Sequence, residues 1–161
     1  MRLYLIRHAH AGDRAPGHRD LYRQLSPRGI KRARVISDLL ADVGISRILS
    51  SPATRCIQTV EPLAANLGLE IEEQPDLWEG SLVSHVLALL TMGDSPAMAA
   101  CSHGDIIPAV IEAVAGEGAT LAGRGCEKGS IWILDHVDGS WSRATYVDRS
   151  HQELPELDRS L

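Results

Sequence analysis

The sequence predicts an α/β protein with three layers, α/β/α, in which a mostly parallel central sheet lies between helices. Short apolar runs of strand length alternate with segments whose apolar residues recur every three or four positions, the pattern of strands alternating with helices. The last two segments rich in strand-forming residues, 130–135 and 143–147, instead flank Asp138-Gly139, a dipeptide typical of a tight turn. The sheet is therefore expected to end in a C-terminal antiparallel hairpin.

The first strand and the first helix have clear signals. Residues 2–6 predict the first strand, and after Arg2 they are continuously apolar, as expected of a central strand that is covered on both faces. Ser26 and Pro27 supply a helix N-cap and a first helical residue, and Gly44 ends the apolar helical repeat that follows. The intervening polar residues 9–24 are expected to form a loop.

The same plan is repeated along the chain. Residues 47–50 predict a second strand, and Ser51-Pro52 predict the cap and first residue of a second helix. Pro62 should kink or break that helix, because proline removes one backbone hydrogen bond. The other predicted elements are a strand at residues 70–74, a helix capped by Ser81, a strand at 97–102 and a helix after it.

Composition favours a single domain over residues 1–161. The net charge is -5 and the basic residues are scattered, so neither a nucleic-acid polymer nor a membrane surface is an expected partner. No apolar run approaches the ~20 residues of a membrane span, and the N-terminus lacks a signal-peptide pattern. Three widely spaced cysteines indicate reduced thiols, which predicts a cytoplasmic protein. The oligomeric state has no signal in the sequence.

Polar side chains follow the predicted strands at the points where they end. Arg7 and His8 follow the first strand, Arg55 opens the helix after the second, and His103 follows the fourth. Glu79 lies in the loop after the third strand. Because ligands of open α/β sheets bind beyond the carboxyl ends of the strands, these side chains are expected to converge at one edge.

Such a set suits phosphoryl transfer. Arginine forks bind phosphate oxygens, and a neutral imidazole can attack phosphorus. A second imidazole can donate to the developing charge, and a carboxyl group such as that of Glu79 can protonate the leaving oxygen. Taken singly, each of these residues also fits a structural or surface role. His8-Ala9-His10 also fits a His-x-His metal site of a metallohydrolase.

Five motifs, in order, resemble the histidine phosphatase superfamily, the phosphoglycerate-mutase-like branch with an Arg-His-Gly motif. They are LYLIRHAH (3–10), LSPRGIKRA (25–33), SSPATRCIQT (50–59), PDLWEG (75–80) and CSHGD (101–105). The resemblance implies that His8 is the nucleophile, that Arg7, Arg55 and His103 bind the phosphoryl group, and that Glu79 is the proton donor. It implies no metal and no organic cofactor.

Two positions test this resemblance. Asp76 is a rival to Glu79 as the acid, since it lies three residues earlier in the same segment. Ala9 replaces the glycine of the family motif, and alanine disfavours a positive φ, so a left-handed turn at this position is in doubt.

The resemblance leaves the substrate open between a phosphorylated small molecule and a phosphohistidine protein. The short chain is similar to the SixA phosphohistidine phosphatase group, which implies an open pocket and hydrolysis. Residues 50–81 and GSIWIL (129–134) also resemble the phosphatase half of actinobacterial MutT proteins, which implies a nucleotide di- or triphosphate. A further alternative is a non-catalytic phosphate-binding or interaction module on the same fold.

Overall fold

A computed structural model of the protein describes residues 1–157. The strands are β1 (Arg2–Arg7), β2 (Arg47–Ser50), β3 (Ile71–Glu73), β4 (Ala97–Ser102), β5 (Thr120–Ala122), β6 (Ile131–Val137) and β7 (Ser140–Val147). The helices are α1 (Pro27–Leu40), α2 (Thr54–Leu67), α3 (Val83–Leu90) and α4 (Ile106–Gly116), with 3-10 helices at Gly17–Tyr22 and Pro75–Leu77.

The strands form one sheet in the order β3-β2-β4-β1-β6-β7-β5. The first four are mutually parallel, whereas β6 is antiparallel to β1 and to β7. Asp138 and Gly139 turn the β6–β7 hairpin with φ of 49° and 80°, the positive values of a tight hairpin turn. The predicted α/β fold and its C-terminal hairpin are therefore confirmed.

Strand β1 is central and feeds both cores, which explains its uninterrupted apolar run. Leu3 and Leu5 belong to the core under α3 and α4, while Tyr4 and Ile6 belong to the core under α1 and α2. Successive side chains of a strand point to opposite faces, so a strand covered on both sides is apolar throughout. Each face of the sheet is thus covered by helices.

Two predicted helix caps are wrong. Helix α2 begins at Thr54 without a side-chain cap, and Ser51 Oγ lies 2.8 Å from His103 Nε2 instead. Helix α3 also begins without a side-chain cap, and the Ser81 hydroxyl donates to the carbonyl oxygen of Pro75. A serine before a helix can cap it, but the sequence does not show whether its hydroxyl instead bonds to a residue outside the helix.

Helix α2 is one continuous helix through Pro62, so the break considered from the sequence does not occur. Val60 and Leu63, on either side of the proline, are fully buried in the core. Their packing offsets the single lost hydrogen bond. No helix within residues 1–157 combines the length and the hydropathy needed to span a lipid bilayer.

Strand β5 was not foreseen. It has three exposed residues and pairs in parallel with β7 at the edge of the sheet. Three residues are too few to show an alternating apolar pattern, so the sequence carries no signal for this strand.

The start of α1 is fixed against the chain that follows β1. Ser26 caps the helix as predicted, with its Oγ accepting from the Gly29 amide at 3.2 Å. The Ser26 amide and hydroxyl donate to the carbonyl oxygen of His10 at 2.9 and 3.2 Å. A Cβ added at Gly29 would lie only 2.0 Å from that oxygen. The first turn of α1 and the backbone at His10 therefore fit together only without a side chain at residue 29.

Gly29→Ala should lower the free energy of unfolding by about 1–3 kcal/mol, because the clash is with backbone that cannot rotate away. Urea denaturation measures the change. Gly116→Ala is the matched control, since it lies at the end of α4 with nothing within 4 Å of an added Cβ. The control should lose no stability. Equal stability of the two variants would contradict the close approach.

Candidate active site

The five residues singled out from the sequence lie together at the carboxyl edge of the sheet. Arg7 and His8 end β1, Arg55 lies in the first turn of α2, His103 follows β4, and Glu79 precedes α3. Arg7, His8 and Glu79 line a cleft of about 660 Å³, whereas Arg55 and His103 are buried beside it. The cleft is lined by Arg7, His8, Ala11, Gly12, Asp13, Arg14, Arg23, Glu79, Gly104, Asp105 and Lys128.

The contacts of the His8 ring fix which of its nitrogens carries the proton. Its Nδ1 lies 2.8 Å from the carbonyl oxygen of Ala9. A carbonyl oxygen can only accept, so Nδ1 carries the proton of the neutral ring and the lone pair is on Nε2. Nε2 faces the Arg55 Nε at 3.4 Å. The ring is therefore held in the tautomer that a nucleophilic imidazole requires.

The surroundings of His8 keep its ring neutral. Burial is the largest cause, and together with the charges of His103, Arg55 and Arg7 it lowers the pKa of His8 to about 3, against a hydrogen bond to Ala9 that raises it. At neutral pH the lone pair on Nε2 is thus not blocked by a proton.

Ala9 is compatible with this arrangement. Among residues 1–157 the one non-glycine residue with positive φ is Asp138, so Ala9 does not adopt the left-handed turn that its replacement of glycine put in doubt. Its side chain is fully buried, and its amide donates to Thr59 Oγ1 at 3.0 Å. The Thr59 hydroxyl in turn donates to the carbonyl oxygen of Arg55 at 2.6 Å, which links β1 to α2.

The guanidinium of Arg55 is fully buried at the centre of the site. Its Nη1 donates to the carbonyl oxygen of Asp20 at 2.8 Å and lies 3.3 Å from Asp20 Oδ2. Its Nη2 donates to Glu79 Oε1 at 3.0 Å, and the Trp78 ring centre is 5.5 Å from the guanidinium carbon. A buried cation needs such partners, because isolation from water is costly otherwise.

Sequence reasoning missed Asp20. It lies on the first 3-10 helix, inside the segment expected to be an irregular loop, and it is buried. Burial opposes its ionisation, but hydrogen bonds from Arg23 and a backbone amide, together with the charge of Arg55, outweigh this and lower its pKa. Asp20 is thus a carboxylate that orients Arg55. A short 3-10 helix has no apolar periodicity, so nothing in one sequence distinguished this aspartate from a surface residue.

His103 is fully buried and is held at both ring nitrogens. Its Nε2 lies 2.8 Å from Ser51 Oγ, and its Nδ1 lies 3.3 Å from Arg55 Nη2 and 3.4 Å from Glu79 Oε1. The ring centres of His8 and His103 are 5.4 Å apart. The two rings therefore pack edge-on against each other.

The structure separates the two candidate acids. Glu79 lines the cleft and contacts Arg55, His103 and the exposed Arg14. The Asp76 carboxylate is half exposed and its neighbour is His85, at 3.8 Å. Glu79 therefore lies with the other site residues, whereas Asp76 does not.

Arg7 reaches the cleft beside a glycine. Its Nη1 donates to the carbonyl oxygen of Cys126, while its buried Nε has no hydrogen-bond partner among the described residues. A Cβ on Gly104 would lie 2.7 Å from the guanidinium carbon of Arg7. The glycine after His103 thus leaves room for the Arg7 guanidinium at the wall of the cleft.

His10 does not join His8. Its Nδ1 lies 2.6 Å from Ser26 Oγ, at the cap of α1, while the His8 ring faces Arg55. Within residues 1–157 no three or more histidine, cysteine, aspartate or glutamate side chains are grouped as metal ligands. The geometry therefore gives no support to a His-x-His metal site.

The pKa of His8 predicts a specific pH dependence of stability. Below pH ~6.5 the unfolded chain takes up a proton on His8 that the native protein does not bind until about pH 3. Stability should therefore fall as the pH drops, by about 1.4 kcal/mol per pH unit from this group alone. His8→Asn should lose that contribution. Urea denaturation from pH 7.5 to 4.5 measures both proteins, and parallel curves would contradict the neutral buried imidazole.

Comparison with known proteins identifies a protein family. A family model described as histidine phosphatase superfamily (branch 1) matches residues 3–85. The 8-oxo-(d)GTP phosphatase of Mycolicibacterium smegmatis is 32% identical over 151 residues, which is 89% of this chain and 47% of that protein. An uncharacterized protein of Picosynechococcus is 37% identical over 50% of this chain and 48% of its own length. The chain spans about half the length of these curated relatives.

Solved structures agree in fold. SixA from Agrobacterium tumefaciens, named a phosphohistidine phosphatase, is 29% identical with a TM-score of 0.70, covering 83% of this chain and 90% of that one. A protein histidine phosphatase SixA complexed with tungstate is 24% identical with a TM-score of 0.72, covering 91% and 94%. The family match extends over more than half of the 161 residues. The chain therefore belongs to branch 1 of the histidine phosphatase superfamily.

Proposed function

We propose that the protein hydrolyses a phosphorylated substrate without a metal, in two steps, through a phosphohistidine on His8. The observation that carries the proposal is the unprotonated Nε2 of a neutral, buried His8, which accepts a hydrogen bond from Arg55 Nε at 3.4 Å. Arg7 adds a second cation with an unpaired donor. A phosphoryl group bound between these residues is adjacent to the attacking nitrogen.

In the first step His8 Nε2 attacks phosphorus. A P–N bond forms as the P–O bond to the leaving group breaks, and the electron pair of that bond goes to the leaving oxygen. Arg7, Arg55 and His103 bind the equatorial oxygens, and Glu79 supplies a proton to the leaving oxygen when it is an alkoxide. In the second step a water molecule cleaves the P–N bond, gives its proton to Glu79 and releases orthophosphate.

Two substrate classes are supported by different similarities. SixA from A. tumefaciens matches over most of both chains, which supports a phosphohistidine protein as substrate. The M. smegmatis relative supports a nucleotide phosphate. The unpaired state of Cys56, Cys101 and Cys126 fits the reducing cytoplasm, where we propose the enzyme acts. A panel of a phosphohistidine protein, a sugar phosphate and nucleoside di- and triphosphates would distinguish these classes.

Rapid quench with a ³²P-labelled substrate should trap one acid-labile, base-stable phosphate, and peptide mapping should locate it on His8. The reason is that the neutral Nε2 is the unblocked nucleophile of the site. His8→Asn should fold and lose essentially all turnover, and activity of the parent should persist in strong chelator. A label on another residue, or fast turnover without label, would overturn the mechanism. If the unmutated protein binds phosphate but shows no turnover, it is a non-catalytic phosphate-binding module.

Glu79→Gln should slow hydrolysis of an alkyl phosphate far more than that of p-nitrophenyl phosphate. The alkoxide needs a proton as it leaves, and the loss expected from removing a general acid is about 10²-fold or more. p-Nitrophenolate leaves without one. Asp76→Asn is the matched control, since Asp76 lies outside the cleft, and it should behave as the parent. An equal loss on both substrates would show that Glu79 acts only through its ion pair with Arg55.

A further inference from the structure

Lys128 lines the same cleft as Arg7 and His8, yet the phosphoryl chemistry gives it no role. Its ammonium forms no hydrogen bond or ion pair with any residue in 1–157. Among the other arginines that line the cleft, Arg14 pairs with Glu79 and Arg23 with Asp20, and Arg7 donates to the carbonyl oxygen of Cys126. Lys128 is thus a cation at the mouth whose counter-charge the described residues do not supply.

Nearby acids do not neutralise Lys128. The carboxylate of its neighbour Glu127 faces Arg149, at 3.9 Å. Asp105, on the cleft wall, accepts from the Gly80 amide at 2.8 Å. Asp13 also lines the cleft, at an exposed position of the rim.

The backbone beside Lys128 is held against the nucleophile. The Gly129 amide donates to the carbonyl oxygens of Arg7 and His8, at 3.0 and 3.1 Å. Arg32 Nε donates to the Gly129 carbonyl oxygen at 2.8 Å, and a Cβ on Gly129 would lie 2.6 Å from Arg32 Cγ. The backbone of Lys128 is therefore held in place, because the next residue, Gly129, is hydrogen-bonded to Arg7 and His8.

The electrostatic surroundings favour an anion at this position. Burial lowers the pKa of Lys128, and the charges of Arg7, Arg23, Arg55 and Arg14 lower it further. Nearby arginines destabilise the charged form of Lys128, and an anion bound next to the ammonium would stabilise it. One transferred phosphoryl group engages Arg7 and Arg55, which leaves Lys128 for a second anionic group.

Resting on the proposed function, we infer that Lys128 binds a second phosphate on the leaving-group side of the one transferred to His8. The substrate class is then a phosphoanhydride, such as a nucleoside diphosphate. The bridging P–O bond breaks as the His8 P–N bond forms, and its electron pair remains on the nucleoside monophosphate, whose phosphate Lys128 holds. Water then releases orthophosphate from His8.

The chain offers an internal control, because its two lysines are Lys31 and Lys128. Lys31 lies on the exposed face of α1, away from the cleft lining. Lys128→Met should reduce kcat/KM for ADP by about tenfold or more, the scale of one charge-assisted contact to phosphate. For p-nitrophenyl phosphate, which has no second phosphate, the loss should stay within about threefold. Lys128→Arg should restore most of the ADP activity, and Lys31→Met should match the parent on both substrates.

Equilibrium binding separates this inference from the proposed mechanism. Calorimetric titration should show that Lys128→Met weakens inorganic pyrophosphate by about tenfold but leaves orthophosphate unchanged. This comparison needs no turnover, so it stands even if no phosphohistidine is trapped on His8. Equal losses for both ligands, no loss for pyrophosphate, or a parent that hydrolyses a phosphohistidine protein but not ADP would overturn the role of Lys128.

Discussion

The site depends on one buried positive charge. The guanidinium of Arg55 has no solvent contact, so its charge must be balanced by protein groups or by a ligand. Asp20 and Glu79 balance it from opposite parts of the chain, before and after α2. Because the same guanidinium also faces His8 and His103, its partners fix the geometry of the reacting groups as well as their charge. Through Arg55, the segment that contains Asp20 and the loop that contains Glu79 are both held next to His8.

The backbone supports this arrangement from the other side. Strand β1 is buried on both faces and delivers Arg7 and His8 to the edge of the sheet. Thr59 joins the backbone after His8 to α2, and Gly129 closes the loop before β6 onto the same two residues. His8 thus directly follows a strand that is buried on both faces, whereas Glu79 and Lys128 lie in loops. A family can keep such a centre while its loops diverge.

The sequence predicts well what regular periodicity and ordered motifs encode. The strand bounds at 47–50 and 97–102 match β2 and β4, and the five site residues converge at the expected edge. It fails where a side chain has competing partners or an element is short. Ser51 has the sequence pattern of a helix cap, but its hydroxyl lies against His103. Strand β5 and the 3-10 helix that contains Asp20 are too short to show a periodic apolar pattern. Lys128 has no motif at all; only its place in the cleft distinguishes it from Lys31.

The 3-10 helix that contains Asp20 has a consequence for how specificity can change. The segment around it supplies part of the cleft wall, through Arg14 and Arg23, and also the counter-charge of Arg55. A loop exchanged between relatives to alter substrate choice would therefore carry away the partner of a buried arginine unless an equivalent acid came with it. Recognition and charge balance are inherited together in this segment, so its viable variants are far fewer than its exposed position suggests.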